Sequence, residues 1–139
     1  MNKIIYLILI LIISVSVVGC GDNKSQKTTS TINIDTQKLD KVIANNPKNE
    51  KPYISRGLRR MNANKIKDAI SDFDEAIAKN PNNDEAYTFR AKAKSIEKNY
   101  REAYQDAEMA LRINPNNKLA VMIKKDSENR MKASRKIRK

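Results

Sequence analysis

Three Asn-Pro pairs, Asn46-Pro47, Asn80-Pro81 and Asn114-Pro115, recur at an unbroken interval of 34 residues. A fixed period of that size marks a chain assembled from repeated structural units, each of which buries its apolar face only against its neighbours. Between the prolines the register holds: Tyr53 aligns with Tyr87, Arg56 with Arg90, Gly57 with Ala91, Ala69 with Ala103, Asp72 with Asp106 and Ala76 with Ala110. The 139 residues allow one compact domain plus appendages. With two Phe, five Tyr and no Trp there is little aromatic mass for a single deep core. Ala, Ile, Lys, Glu and Asn suit thin, repeated helical layers instead, so the expected fold is all-α.

The helices can be placed from spacing. Asp35 is positioned to cap a short helix carrying Leu39, Val42 and Ile43, which Asn45-Asn46-Pro47 stops. From Glu50 to Met61 an apolar stripe at steps of three and four holds Tyr53, Ile54, Gly57, Leu58 and Met61. A third helix, from about Lys65 to Lys79, buries Ile66, Ala69, Ile70, Phe73, Ala76 and Ile77 and turns Asp68, Asp72 and Lys79 outward. The pattern repeats over Asp84 to Lys98 and Tyr100 to Ile113. Lys118 to about Lys132 begins one further unit, in which Lys125 takes the place of Gly57 and Ala91. Close helix packing stops there, and the segment reads as a cap whose Leu119, Met122 and Ile123 cover the last repeat.

Tyr53-x-x-Arg56-Gly57, Ala69-x-x-x-Phe73 and Pro81, then Tyr87-x-x-Arg90-Ala91, Ala103-x-x-x-Ala107 and Pro115, resemble the tetratricopeptide repeat. The resemblance covers about 70 residues directly, two full repeats of the 34-residue class. It implies a stack of helical hairpins with about six helices: a half-repeat over 35–47, full repeats over 48–81 and 82–115, and a capping helix over 118–134. Arg56 and Arg90 stand where the family has Leu, Arg60 and Lys94 where it has a second Tyr, and Ala107 where it has Phe. Tyr104 is the residue placed to refill the space beside Ala107.

The resemblance also implies where a partner would sit, since arrays of this class line a concave groove with the first helix of each pair. Carried over, the groove residues are Lys51, Ile54, Ser55, Leu58 and Met61, then Glu85, Thr88, Phe89, Lys92 and Ile96. Leu119, Met122, Ile123 and Asp126 follow from the cap. Members that clamp a C-terminal carboxylate present Lys, Asn and Arg where Ile54, Leu58, Glu85 and Phe89 stand here. The expected ligand is therefore a protein partner, an extended peptide or a helix, whose apolar and aromatic side chains enter the groove. A second reading of Ile54, Leu58 and Phe89 stands beside it: they are core, or are covered by Ile32 and Ile34 folding back.

Residues 1–19 resemble a bacterial lipoprotein signal peptide: Lys3, an apolar run from Ile4 to Val18, then Gly19 before Cys20. The run falls short of the roughly 20 residues a membrane-spanning helix needs, although an uncleaved anchor is the alternative. By the resemblance Cys20 becomes the acylated N-terminus. Residues 20–34 form a flexible linker, and the domain hangs from a cell or outer membrane on the side away from the cytoplasm. As the one Cys in the chain, it has no intrachain disulfide partner.

With no His, no constellation for zinc, a triad or acid-base catalysis is present, so the expected activity is binding: no catalytic residues, no metal and no cofactor. Asp68, Asp72, Asp74 and Glu75 read as a solvated helix face. The net charge is +12, and the span from Lys118 to Lys139 carries nine Lys or Arg against Asp126 and Glu128. Its end, the basic tail 135–139 included, reads either as a solvated helix terminus or as a contact for anionic lipid or wall polymer. Nucleic acid is not expected, because no aromatics interleave these cations.

Overall fold

The structure, a computed structural model, describes residues 36–137. The expected signal peptide, Cys20, the linker and Asp35 lie outside these residues. Among the described residues there are six helices and no strand: α1 (residues 36–45), α2 (Lys51–Asn62), α3 (Ile66–Lys79), α4 (Asp84–Ile96), α5 (Tyr100–Ile113) and α6 (Lys118–Ile137). None of them is long and apolar enough to cross a membrane.

Each helix from α2 onward packs on the next, as a stack of hairpins demands. Beyond that, α2 touches α4 and α4 touches α6, whereas α3 and α5 do not meet. The first helices of the hairpins therefore converge on one side while the second helices splay apart on the other, which curves the stack toward α2, α4 and α6.

Local sequence explains the corners. Inside each hairpin the chain reverses through a left-handed residue, Asn64 (φ 60°) after α2 and Lys98 (φ 64°) after α4. The amide that follows then bonds back five residues, Lys65 N–H to Arg60 C=O at 2.8 Å and Asn99 N–H to Lys94 C=O at 2.9 Å. This satisfies helix-end carbonyls that would otherwise lack partners.

Between hairpins the Asn-Pro-Asn-Asn turns are held by their own amides. Asn83 Oδ1 accepts from Ala86 N–H at 2.9 Å and Asn117 Oδ1 from Ala120 N–H at 3.0 Å, capping α4 and α6. The amide groups of Asn80 and Asn83 both donate to Glu50, and those of Asn114 and Asn117 both donate to Asp84, so each turn is tied to the start of the preceding hairpin.

The core is built from small residues around one large ring. Ala69, Phe73, Ala76, Ala86 and Ala93 are fully buried beside Tyr53, Ile54 and Met61. Phe73 occupies the gap left by Gly57 and lies 6.0 Å, centroid to centroid, from Phe89 on the next hairpin. One repeat later the same positions hold Ala107 and Ile123, packed with Ala91 and Leu119. Tyr104 does not refill this space: it is half-buried with Lys124 over its ring at 5.2 Å, and Ile123 from α6 fills the site instead. The cap also differs from expectation in length, since α6 runs to Ile137 with Lys132 to Lys136 exposed.

Candidate functional site

The residues expected to line a groove stand on α2, α4 and α6, and they divide by exposure. Lys51, Ser55, Glu85, Lys92 and Asp126 are exposed, as are Ile96 at 49 % and Met122 at 67 %. Leu58, Phe89 and Leu119 are half-buried. Ile54, Met61, Thr88 and Ile123 are buried and are corrected from groove wall to core. Ile54 and Met61 belong to the cluster around Phe73, and Thr88 is consumed by hydrogen bonds to Asp84 C=O (2.7 Å) and from Asn117 Nδ2 (2.9 Å). The apolar members of this set that stay accessible are Leu58, Phe89, Leu119, Ile96, which lies beside the α2–α3 turn, and Met122, which lies beside Pro115 and Val121. Lys51, Glu85 and Lys92 stand on the same helices without an ion pair among the described residues.

An ion ladder that the helical pattern alone did not reveal joins these helices to their neighbours. Asp72, read as outward, is 1 % exposed, and Asp106 is 5 % exposed. Arg56 grips Asp72 through Nε (3.1 Å) and Nη2 (2.6 Å) while its Nη1 reaches Asp40 on α1 at 2.6 Å. Arg60 adds a contact to Asp72 at 2.8 Å. One repeat on, Arg90 holds Asp106 through Nε (2.9 Å) and Nη2 (2.6 Å) and Asp74 through Nη1 (2.6 Å), with Lys94 at 3.0 Å from Asp106. A third rung joins Lys124 to Glu108 at 3.0 Å. The planar guanidinium suits this double grip, because its donors match a carboxylate edge to edge.

The departures from the family pattern are thereby explained as pairs: Arg at the Leu position is matched by Asp sixteen residues later. The signal was in the sequence, since Asp40, Asp74 and Glu108 recur at the 34-residue period, as do Arg56, Arg90 and Lys124. Of the four acids read as one solvated face, Asp74 is exposed but held by Arg90, and Glu75 pairs with Lys79 at 3.1 Å.

Titration follows the contacts. The hydrogen bonds from Arg56 to Asp72 raise the arginine's pKa above its ordinary value. For Arg90, burial alone would lower it, and the hydrogen bonds to Asp106 and Asp74 more than reverse this. Glu50 sits below the usual carboxylate range, held there by its own backbone amide and then by the Asn80 side chain. Glu108 is lowered chiefly by its hydrogen bond from Lys124. These are structural shifts that keep paired groups charged. Among the described residues no cluster of acids could hold a metal ion.

No protein-family model matches the sequence, and no curated protein matches it either. Solved structures do resemble it. The Arabidopsis OM64 TPR domain is 25% identical with a TM-score of 0.68, over 73% of this chain and 84% of that one. The first TPR of Spaghetti (RPAP3), bound to the HSP90 peptide SRMEEVD, is 24% identical with a TM-score of 0.70, over 78% of this chain and 89% of that one. The second TPR domain of human RPAP3, in complex with the HSP70 peptide SGPTIEEVD, is 23% identical with a TM-score of 0.67, over 72% and 83%. The six described helices are an all-α, tetratricopeptide-type helical stack.

Proposed function

We propose that this chain is a scaffold or assembly adaptor that holds a peptide or helix of a protein partner against the inner face of its stack, and that it does so at a bacterial membrane through a lipid on Cys20. The observation that carries the groove half is that α2, α4 and α6 converge and leave Leu58, Phe89, Ile96 and Met122 accessible on them, with Ile96 and Met122 about half or more exposed. Apolar surface of that kind, edged by unpaired charges, is what a helix or an extended peptide covers on binding. Structures of the same fold are seen with peptides bound, which supports the reading. A carboxylate-clamp ligand is disfavoured, because Ile54 and Leu58 replace polar donors and Ile54 is buried. Nothing in the site calls for chemistry, so the role is binding.

The test is site-specific photocrosslinking in the membrane fraction. A photoreactive residue at position 96 or 122, both exposed, should give one discrete protein adduct, and the same probe at Glu75 on the outer side of α3 should not. Adducts of equal yield from both faces, or none from the inner face, would overturn the groove. The anchoring half is read separately, by mass spectrometry of the N-terminal peptide: acylated Cys20 supports it, and an unmodified Met1 start refutes it.

A further inference from the structure

The stack has two repeat-equivalent notches, each where the turn inside a hairpin meets the end of the next hairpin's first helix. The first, about 530 Å³, lies between the α2–α3 turn and the end of α4; the second, about 500 Å³, lies between the α4–α5 turn and the last turns of α6. Shifted by 34 residues they should match in charge, and they do not. The first sets Lys65 and Lys67 against Asp68 and Glu97, a neutral balance. The second has Lys98, Arg101 and Arg135 against Glu102 alone.

Two changes make the difference. Met131 stands where Glu97 would repeat, which removes one acid. In addition, α6 stays helical past the point where α4 breaks, running 20 residues against 13, and its added turns bring Arg135 to the notch. Glu102 is itself engaged by Lys94 at 3.3 Å. Lys98, Arg101 and Arg135 have no carboxylate partner among the described residues. The first-turn amides of α5 have no side-chain cap, and Arg130 stacked over Tyr100 at 5.7 Å holds α6 against that helix end.

We propose that the second notch is an anion site that takes a phosphate group, with the Arg101 and Arg135 guanidinium groups as paired donors and Lys98 as a third cation. Phosphate chemistry fits because guanidinium forks and uncapped helix amides both present N–H groups to tetrahedral oxyanions. The phosphate belongs either to a soluble phosphate ester or to a lipid headgroup, and the site narrows the general attraction of the basic end to one place. It does not depend on the inner groove.

The test labels arginines of the full chain with phenylglyoxal and reads each site by mass spectrometry, so membrane anchoring does not confound it. Glycerol phosphate, or vesicles of phosphatidylglycerol against phosphatidylcholine, should protect Arg101 and Arg135 with a shared midpoint, and exposed Arg112 should stay reactive. Protection by glycerol phosphate assigns a soluble source; protection by phosphatidylglycerol vesicles alone assigns a headgroup. Lys98→Asn removes a cation where the left-handed backbone suits Asn, so the fold is kept, and should weaken the midpoint by roughly fivefold. Lys67→Gln in the first notch should leave it unchanged. Equal protection of Arg112, no protection in either arm, or an equal effect of Lys67→Gln would overturn the site.

Discussion

Gly57→Ala isolates the contact on which the first full repeat is built. A Cβ added at Gly57 would lie 2.6 Å from Phe73 Cε1, 2.9 Å from Cζ and 3.0 Å from Cδ1. Phe73 has no exposed surface and is backed by Phe89, so the ring has no free direction in which to move. Overpacking of this kind costs about 1–3 kcal/mol. Replacing Gly by Ala inside a helix returns about 1 kcal/mol through propensity. The overlap wins, and the expected net loss is about 1 kcal/mol. In a Phe73→Leu background the ring edge is gone, only the propensity gain remains, and Gly57→Ala should stabilise by about 1 kcal/mol. The coupling between the two sites is then about 2 kcal/mol, well above what independent sites show. Urea unfolding of the four proteins, followed by far-ultraviolet circular dichroism, measures it. The reasoning fails if Gly57→Ala shifts stability by the same amount in both backgrounds. The chain already contains the relaxed pair one repeat later, where Ala91 stands beside Ala107.

Three further outcomes follow from the ladder, the cap and the turns. Asp72→Ala leaves Arg56 and Arg60 without their buried carboxylate and should cost about 3 kcal/mol, whereas Asp74→Ala, whose acid is 54% exposed, should cost under about 1 kcal/mol; urea midpoints separate them. Ser127 is fully buried with an Oγ that has no partner, in the register of Ala93, so Ser127→Ala should raise stability by about 1 kcal/mol and the thermal midpoint with it. Stability should also fall in acid. Glu50 and Glu108 have folded pKa values below the ordinary 4.5, so each contributes fully above about pH 4.5 and loses its contribution as pH falls through the folded value. Glu50→Gln should flatten the slope of urea midpoint against pH below 4.5 and lower the midpoint by a constant amount between pH 6 and 8, where the wild-type contribution is fully present.

Much of the fold was legible because the 34-residue period fixes helix, turn and partner together, and Asn-Pro at each corner marks where one unit ends. What periodicity could not separate was core from groove. Ile54 and Ile96 are both apolar residues on first helices, yet Ile54 is 5% exposed beneath the neighbouring hairpins and Ile96 is 49% exposed at a helix end. That distinction depends on how far adjacent hairpins overlap, which no single helix encodes. Asp72 was misplaced for a different reason. A helical wheel assigns a carboxylate to solvent because an isolated buried charge is costly, and the assignment reverses only when its Arg partner, sixteen residues earlier on another helix, is considered. The same reasoning leads to the second notch. There the like-for-like comparison is between two copies of one motif in the same chain, and the copy with Met131 in place of an acid and with Arg135 added is the one whose cations outnumber the acids beside them among the described residues.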